Sequence, residues 1–197
     1  MNATDSTQPS AYPPETSSST SERFSLRTWW DELVRTVVPA LAIVLTINLF
    51  LAQPRTVHGQ SMEPNLQENQ RVIVELLSYR FRPPQRGEII VLNLPENHAE
   101  PLIKRVVGLP GEIIEIRDGA VYINDSPLDE PYLDQLTYGH VPRQIVPEEH
   151  VFVLGDNRGC SNDSRYFGMV AFDSILGRAW LRYWPPTEIG LFHQPSP

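Results

Sequence analysis

The segment Val151–Gly168, VFVLGDNRGCSNDSRYFG, restricts the fold of this chain more than any other. Val151 to Leu154 are four apolar residues that read as a buried strand. Gly155-Asp156-Asn157 then turns the chain, and Asp156, Asn157, Arg158, Ser161, Asp163, Ser164 and Arg165 crowd into the next few positions. Buried polar groups must be paired, so a polar knot directly after an apolar strand demands partners inside the fold. In an extended segment Ser161, Asp163 and Arg165 are two apart and share a face, where carboxylate and guanidinium can clamp each other. A solvated loop would use the same residue types, but here apolar strands flank the knot on both sides.

The rest of the chain supplies the frame. Its 197 residues leave room for one domain plus appendages. A net charge of −8 and a pI near 5.1 argue against a nucleic-acid partner. A single cysteine, Cys160, rules out an internal disulfide and a cysteine metal cage, and no metal or cofactor is expected. Residues 1–22 carry ten Ser or Thr and three Pro, so residues 1–28 read as a disordered tail. Trp29 and Trp30 precede an uncharged run of nineteen positions, Thr36 to Pro54. That length is about what a bilayer-spanning helix needs, roughly 17–25 residues, and residues 29–54 read as a membrane anchor. A removable signal peptide fits less well, because Phe50 occupies the position that a cleavage site ending at Ala52 needs small. Arg23, Arg27 and Arg35 before the run place the N-terminus inside the cell.

Residues 55–197 read as a mostly β catalytic domain built on an antiparallel sheet. Val72–Val74, Glu88–Leu92, Leu102–Val107 and Ala179–Trp184 are short apolar strands. Ile113–Ile116 and Ala120–Ile123 flank Asp118-Gly119, a strong hairpin signal, within a small hairpin elaboration over 112–147. Residues 124–147 are rich in proline and read as loop.

A serine needs a base before it is a useful nucleophile. None of the histidines, His58, His98, His140, His150 and His193, lies in a motif typical of a serine-hydrolase triad, and GxSxG is absent. Lys104 shares a strand face with Leu102 and Val106. Burial between them would disfavour its ammonium and lower its pKa, making it a general base. On pattern alone, a lysine snorkelling to solvent fits Lys104 at least as well. Asp163 and Arg165, with Arg105 and a second carboxylate in Asp156, read as a structural ion-pair cluster. A calcium loop at Asp156–Asp163 lacks the required spacing.

Three boxes in order resemble those of bacterial type I signal peptidases. They are Ser61-Met62-Glu63-Pro64, Lys104-Arg105-Val106-Val107-Gly108-Leu109-Pro110-Gly111, and Gly155-Asp156-Asn157 followed by Ser161-Asn162-Asp163-Ser164-Arg165. The resemblance implies Ser61 as nucleophile, Lys104 as base and Ser161 as the hydroxyl that orients the lysine. It implies a membrane-anchored endopeptidase that cleaves secreted preproteins after small-x-small sites on the extracytoplasmic side of the cell membrane. Met62, Leu66, Leu102 and Ile103 are candidates for pocket walls, with core packing as the alternative. Gly59 stands where some members place a hydroxyl donor to the oxyanion, and Asn65, where Thr is usual, reads as a turn residue.

Overall fold

A computed structural model describes residues 26–46, 51–94 and 100–192. Most of the N-terminal tail, His98 and His193 lie outside the described residues.

Helix α1 runs Leu26–Thr46 with Pro39 inside it. Its Thr36 and Thr46 hydroxyls donate to the Glu32 and Ala42 carbonyls at 2.9 and 2.8 Å, which keeps both polar groups on the helix's own backbone. Val37, Val38, Leu41, Ile43 and Leu45 are exposed. Among the described residues no helix is long and apolar enough to cross a membrane. The uncharged run also does not reach Pro54 as one helix, because Ala52–Thr56 is strand β1. Pro54 is tolerated there because β1 lies at the edge of its sheet.

The large sheet adds β2 (Arg71–Glu75), β3 (Ile89–Leu92) and β4 (Leu102–Gly108). A second sheet is formed by β5 (Ile113–Arg117), β6 (Ala120–Ile123), β7 (Ser126–Pro127) and β8 (Val141–Ile145). The chain then returns through β9 (His150–Leu154), β10 (Val170–Ala171), β11 (Ile175–Trp184) and β12 (Gly190–Leu191). The large sheet has the order β1-β2-β11-β3-β4-β9-β10 with β12 on β11, and the small one β7-β6-β5-β8. Every pairing is antiparallel. The Asp118-Gly119 hairpin forms with both residues at positive φ, as a two-residue turn between twisted strands requires.

Because side chains alternate along a strand, β3 feeds two cores. Ile89 and Val91 pack with Val57, Met62, Leu66 and Val74, while Ile90 and Leu92 pack with Val106, Val151 and Val153. β4 is therefore an interior strand covered on both faces, and six of its seven residues are buried. A third core, around Val107, Ile114, Ile116 and Phe152, joins β4 and β9 to the small sheet.

Glu88, 1% exposed, leads into β3 and holds the surrounding loops. It accepts from the Tyr79 hydroxyl at 2.9 Å, the Gln85 N–H at 2.8 Å and the guanidiniums of Arg82 and Arg178. Burial alone would raise this carboxyl, but the bonds from Arg82, Gln85 and Tyr79 outweigh it and hold Glu88 below its ordinary range. Breaking such a group away from its partners costs about 3 kcal/mol. Glu88→Ala is expected to lose about that much in denaturant unfolding. Unchanged unfolding would show that the network carries no stability.

Candidate active site

Ser61 sits in a loop between β1 and β2 and is half-buried. Val57 and Met62 on either side of it are buried in the core, so the loop is pinned at both ends while His58, Gly59 and Gln60 stay exposed. Lys104 lies on β4, 2% exposed. Its Nζ donates to Ser61 Oγ at 2.8 Å and to the Ile103 carbonyl at 3.0 Å. Among the described residues no carboxylate forms an ion pair with Lys104, and the nearby Asp156 and Asp163 pair with arginines instead. Burial pushes its pKa down from the ordinary 10.5 to about 8, against the opposing pull of the Asp163 and Asp156 carboxylates.

Those carboxylates are held elsewhere. Arg105 donates from Nε and Nη2 to the two oxygens of Asp156 at 2.8 and 2.6 Å, and from Nη1 to the Gly87 carbonyl at 2.9 Å. Its guanidinium also lies 4.0 Å from the Tyr132 ring centroid, a favourable cation–π distance. Asp163 is bound by Arg165 Nε and Nη2, each at 2.8 Å. The single cluster expected from sequence is thus two separate pairs, with Arg105 on Asp156 and not on Asp163. The extended geometry assumed for Asp163 and Arg165 is also replaced. Asp163 caps the N-terminus of α2 (Ser164–Phe167) by accepting from the Arg165 N–H, and its other oxygen accepts from the Gly155 N–H at 3.0 Å.

Register brings the polar knot to the serine. Arg105 pairs with Leu154, so the chain leaves β9 at Gly155 beside Lys104. A Cβ on Gly155 would lie 2.4 Å from the Ser61 carbonyl oxygen and 2.2 Å from Ser161 Oγ. Only glycine permits so close an approach. The Asn157 N–H donates to the Ser61 carbonyl at 3.0 Å, and its side-chain amide to the Gln60 carbonyl at 3.1 Å. Asn65 is more than a turn residue: its amide donates to the Tyr132 carbonyl and to Asp156 at 2.9 and 3.0 Å, tying the serine loop to the ion pair.

Ser161 Oγ is buried and has no hydrogen-bond partner among the described residues, Lys104 included. Cys160, a free thiol, is exposed. Met62 and Leu66 are wholly buried core residues, so they are not pocket walls, because their side chains fill the space under the loop. Leu102 and Ile103 do line a cleft of about 870 Å³ in front of Ser61 and Lys104. Its other wall, Pro54 to Gly59, with Val72 and Val91, carries no motif that sequence reading could have seized on. Arg158, also missed, is buried against Glu130 and the Gly155 carbonyl. Its place inside the dense polar run was the only signal for it.

The signal peptidase, peptidase S26 family model matches residues 30–184 of the chain. A probable signal peptidase I-2 of Synechocystis is 43% identical over 170 residues, covering 82% of this chain and 77% of that protein. Signal peptidase I of Leptolyngbya laminosa is 40% identical over 166 residues, covering 81% of this chain and 82% of that protein. Signal peptidase IB of Staphylococcus aureus is 30% identical over 175 residues, covering 80% and 91%.

The Lys104 burial has a measurable sign. Between a folded pKa of about 8 and an ordinary value of 10.5 the unfolded chain binds more protons, so stability rises with pH across that window. Below it the full cost remains, about 3 kcal/mol. Lys104→Met removes the titration. The variant should be the more stable protein near pH 7, and its advantage should shrink as pH climbs through the window. A less stable variant at pH 7 would show a paired, charged lysine.

Proposed function

The chain belongs to the signal peptidase family, peptidase S26, and we propose that Ser61 and Lys104 are the pair with which it removes signal peptides from secreted preproteins. The observation that carries this reading is the 2.8 Å contact from Lys104 Nζ to Ser61 Oγ at the floor of an open cleft. An amine with a pKa near 8 is partly neutral at working pH, as a general base must be.

Neutral Lys104 takes the Ser61 hydroxyl proton as Oγ attacks the scissile carbonyl carbon. The resulting ammonium then gives a proton to the leaving amine, and water hydrolyses the ester by the same relay. The Ser61 N–H is the natural donor to the oxyanion. Gly59, at φ +76° with open space where a side chain would be, offers no hydroxyl. Ser161 takes the role of orienting the lysine: its buried hydroxyl is unpartnered and packs on Gly155, next to Lys104 in the sheet. The Arg105–Asp156 and Arg165–Asp163 pairs hold the scaffold.

The cleft between residues 54–59 and Leu102–Lys104 suits an extended peptide, with Val57, Val72, Val91, Leu102 and Ile103 offering an apolar lining for small side chains. Specificity for small-x-small sites is part of the proposal. So is anchorage of the chain in the cell membrane by α1 and the uncharged residues after it, with the β domain on the extracytoplasmic side. That topology confines enzyme and substrate to one layer and raises their effective concentration. Exposed Trp180 and Trp184 on β11 suit the membrane–water interface.

The test is incubation of the full chain with a preprotein in detergent. Wild type should release the mature protein, while Ser61→Ala and Lys104→Met should each lose about a thousandfold or more in rate. Wild-type cleavage should rise with pH toward the lysine's folded pKa. Normal cleavage by either variant removes that residue from the mechanism.

A further inference from the structure

We propose that Asn157 is the positioning residue that aims the Ser61 backbone N–H at the oxyanion, an inference that rests on Ser61 being the nucleophile. Gly59 leaves the cleft without a side-chain donor two residues before the serine, so the Ser61 N–H must be held accurately. Core packing of Val57 and Met62 pins the ends of the loop but not the Gln60–Ser61 peptide between them, because His58, Gly59 and Gln60 are all exposed. That peptide is held by hydrogen bonds to the polar knot.

Asn157 grips both peptide units that flank the Ser61 Cα. Its side-chain Nδ2 donates to the Gln60 carbonyl at 3.1 Å, and its backbone N–H donates to the Ser61 carbonyl at 3.0 Å. A trans peptide is planar, with C=O and N–H pointing in opposite directions. Drawing the Gln60 carbonyl toward Asn157 therefore turns the Ser61 N–H away from it. Fixing the two planes together fixes the backbone dihedrals of Ser61 and so the direction of its N–H, while the Lys104 contact at 2.8 Å holds its Oγ. A turn bond from the Glu63 N–H also reaches the Gln60 carbonyl, at 3.2 Å. That bond moves with the loop, whereas Asn157 ties it to the sheet end.

Asn157 is itself held. The Gln135 amide donates to Asn157 Oδ1 and to the Asp156 carbonyl, both at 3.4 Å, which fixes which way round the Asn157 amide lies. Its chain neighbour Asp156 is locked by Arg105 and Asn65. The path from the buried ion pair to the oxyanion donor is thus Arg105, Asp156, Asn157 and the Gln60–Ser61 peptide.

Asn157→Leu keeps the shape and the neutral charge but removes the side-chain donor. With a peptide substrate spanning a small-x-small site, its kcat should fall about ten- to a hundredfold while KM stays within about twofold, somewhat less than the loss on deleting an oxyanion donor outright. Binding of a peptide aldehyde, which adds reversibly to Ser61 Oγ and places a hemiacetal oxygen where the oxyanion forms, should weaken by the same factor. The pH midpoint set by Lys104 should not move. Wild-type kcat and aldehyde affinity in the variant would overturn the proposal, as would a loss of activity that leaves aldehyde affinity intact. Gln135→Ala, which frees Asn157 Oδ1 while leaving the donor in place, is the second variant. It should show a smaller loss in the same two quantities, and wild-type values for both would count against the proposal even if Asn157→Leu fails to fold. If instead Ser61→Ala cleaves normally and the aldehyde does not inhibit wild type, the serine–lysine reading fails, whatever Asn157 does.

Discussion

An amine buried in the interior strand of an apolar sheet, with no carboxylate bound to it among the described residues, is the constraint that the rest of the site answers to. Desolvation alone makes Lys104 a weaker base than an exposed lysine and a far more available one near neutral pH. Two carboxylates lie close enough to work against this, Asp156 and Asp163. Each is occupied by an arginine, so neither is free to bind the ammonium. The arginine pairs therefore do two things at once. They close the loops around the site, and they leave the lysine with a serine hydroxyl and a backbone carbonyl as its partners.

The three residues that follow β9 divide the remaining work. Gly155, by lacking a Cβ, lets the Ser61 carbonyl come within contact of the chain. Asp156 fastens the turn to Arg105 on the neighbouring strand. Asn157 holds the serine loop by two carbonyls. All three act through positions set by the sheet, because β4 and β9 are paired in a register that brings Gly155 beside Lys104. Function here depends on strand register: a slip of one residue would turn Lys104 to the opposite face.

Much of this was legible in the sequence, for identifiable reasons. Interior strands such as Ile89–Leu92 and Val151–Leu154 announce themselves by unbroken apolar runs, and the Asp118-Gly119 turn by its chemistry. Edge and surface strands did not. Residues 124–147 read as loop, yet Val141–Ile145 is a strand, of which Val141 alone is buried and in which Pro142 and Arg143 mask the pattern. Strand β1 was hidden in the tail of an uncharged run. Ser61 and Lys104 fell into recognisable boxes, and the structure brings them into contact across 43 positions of sequence. Pair assignments were harder: which arginine meets which aspartate depends on the helical turn at Ser164, which an extended reading of Asp163–Arg165 does not contain. Met62 and Leu66 are apolar and close to Ser61, but proximity in sequence says nothing about which side of the loop they face, and they face the core.

The state of the Lys104 amine can be measured directly. In protein carrying isotope-labelled lysine, with Lys104→Met used to assign its signal, an NMR titration should show one amine changing protonation near pH 8, well below the roughly 10.4 of an ordinary lysine. If the Lys104 signal instead titrates with the exposed value, the amine is solvated and charged at working pH, and burial is not what makes it a base.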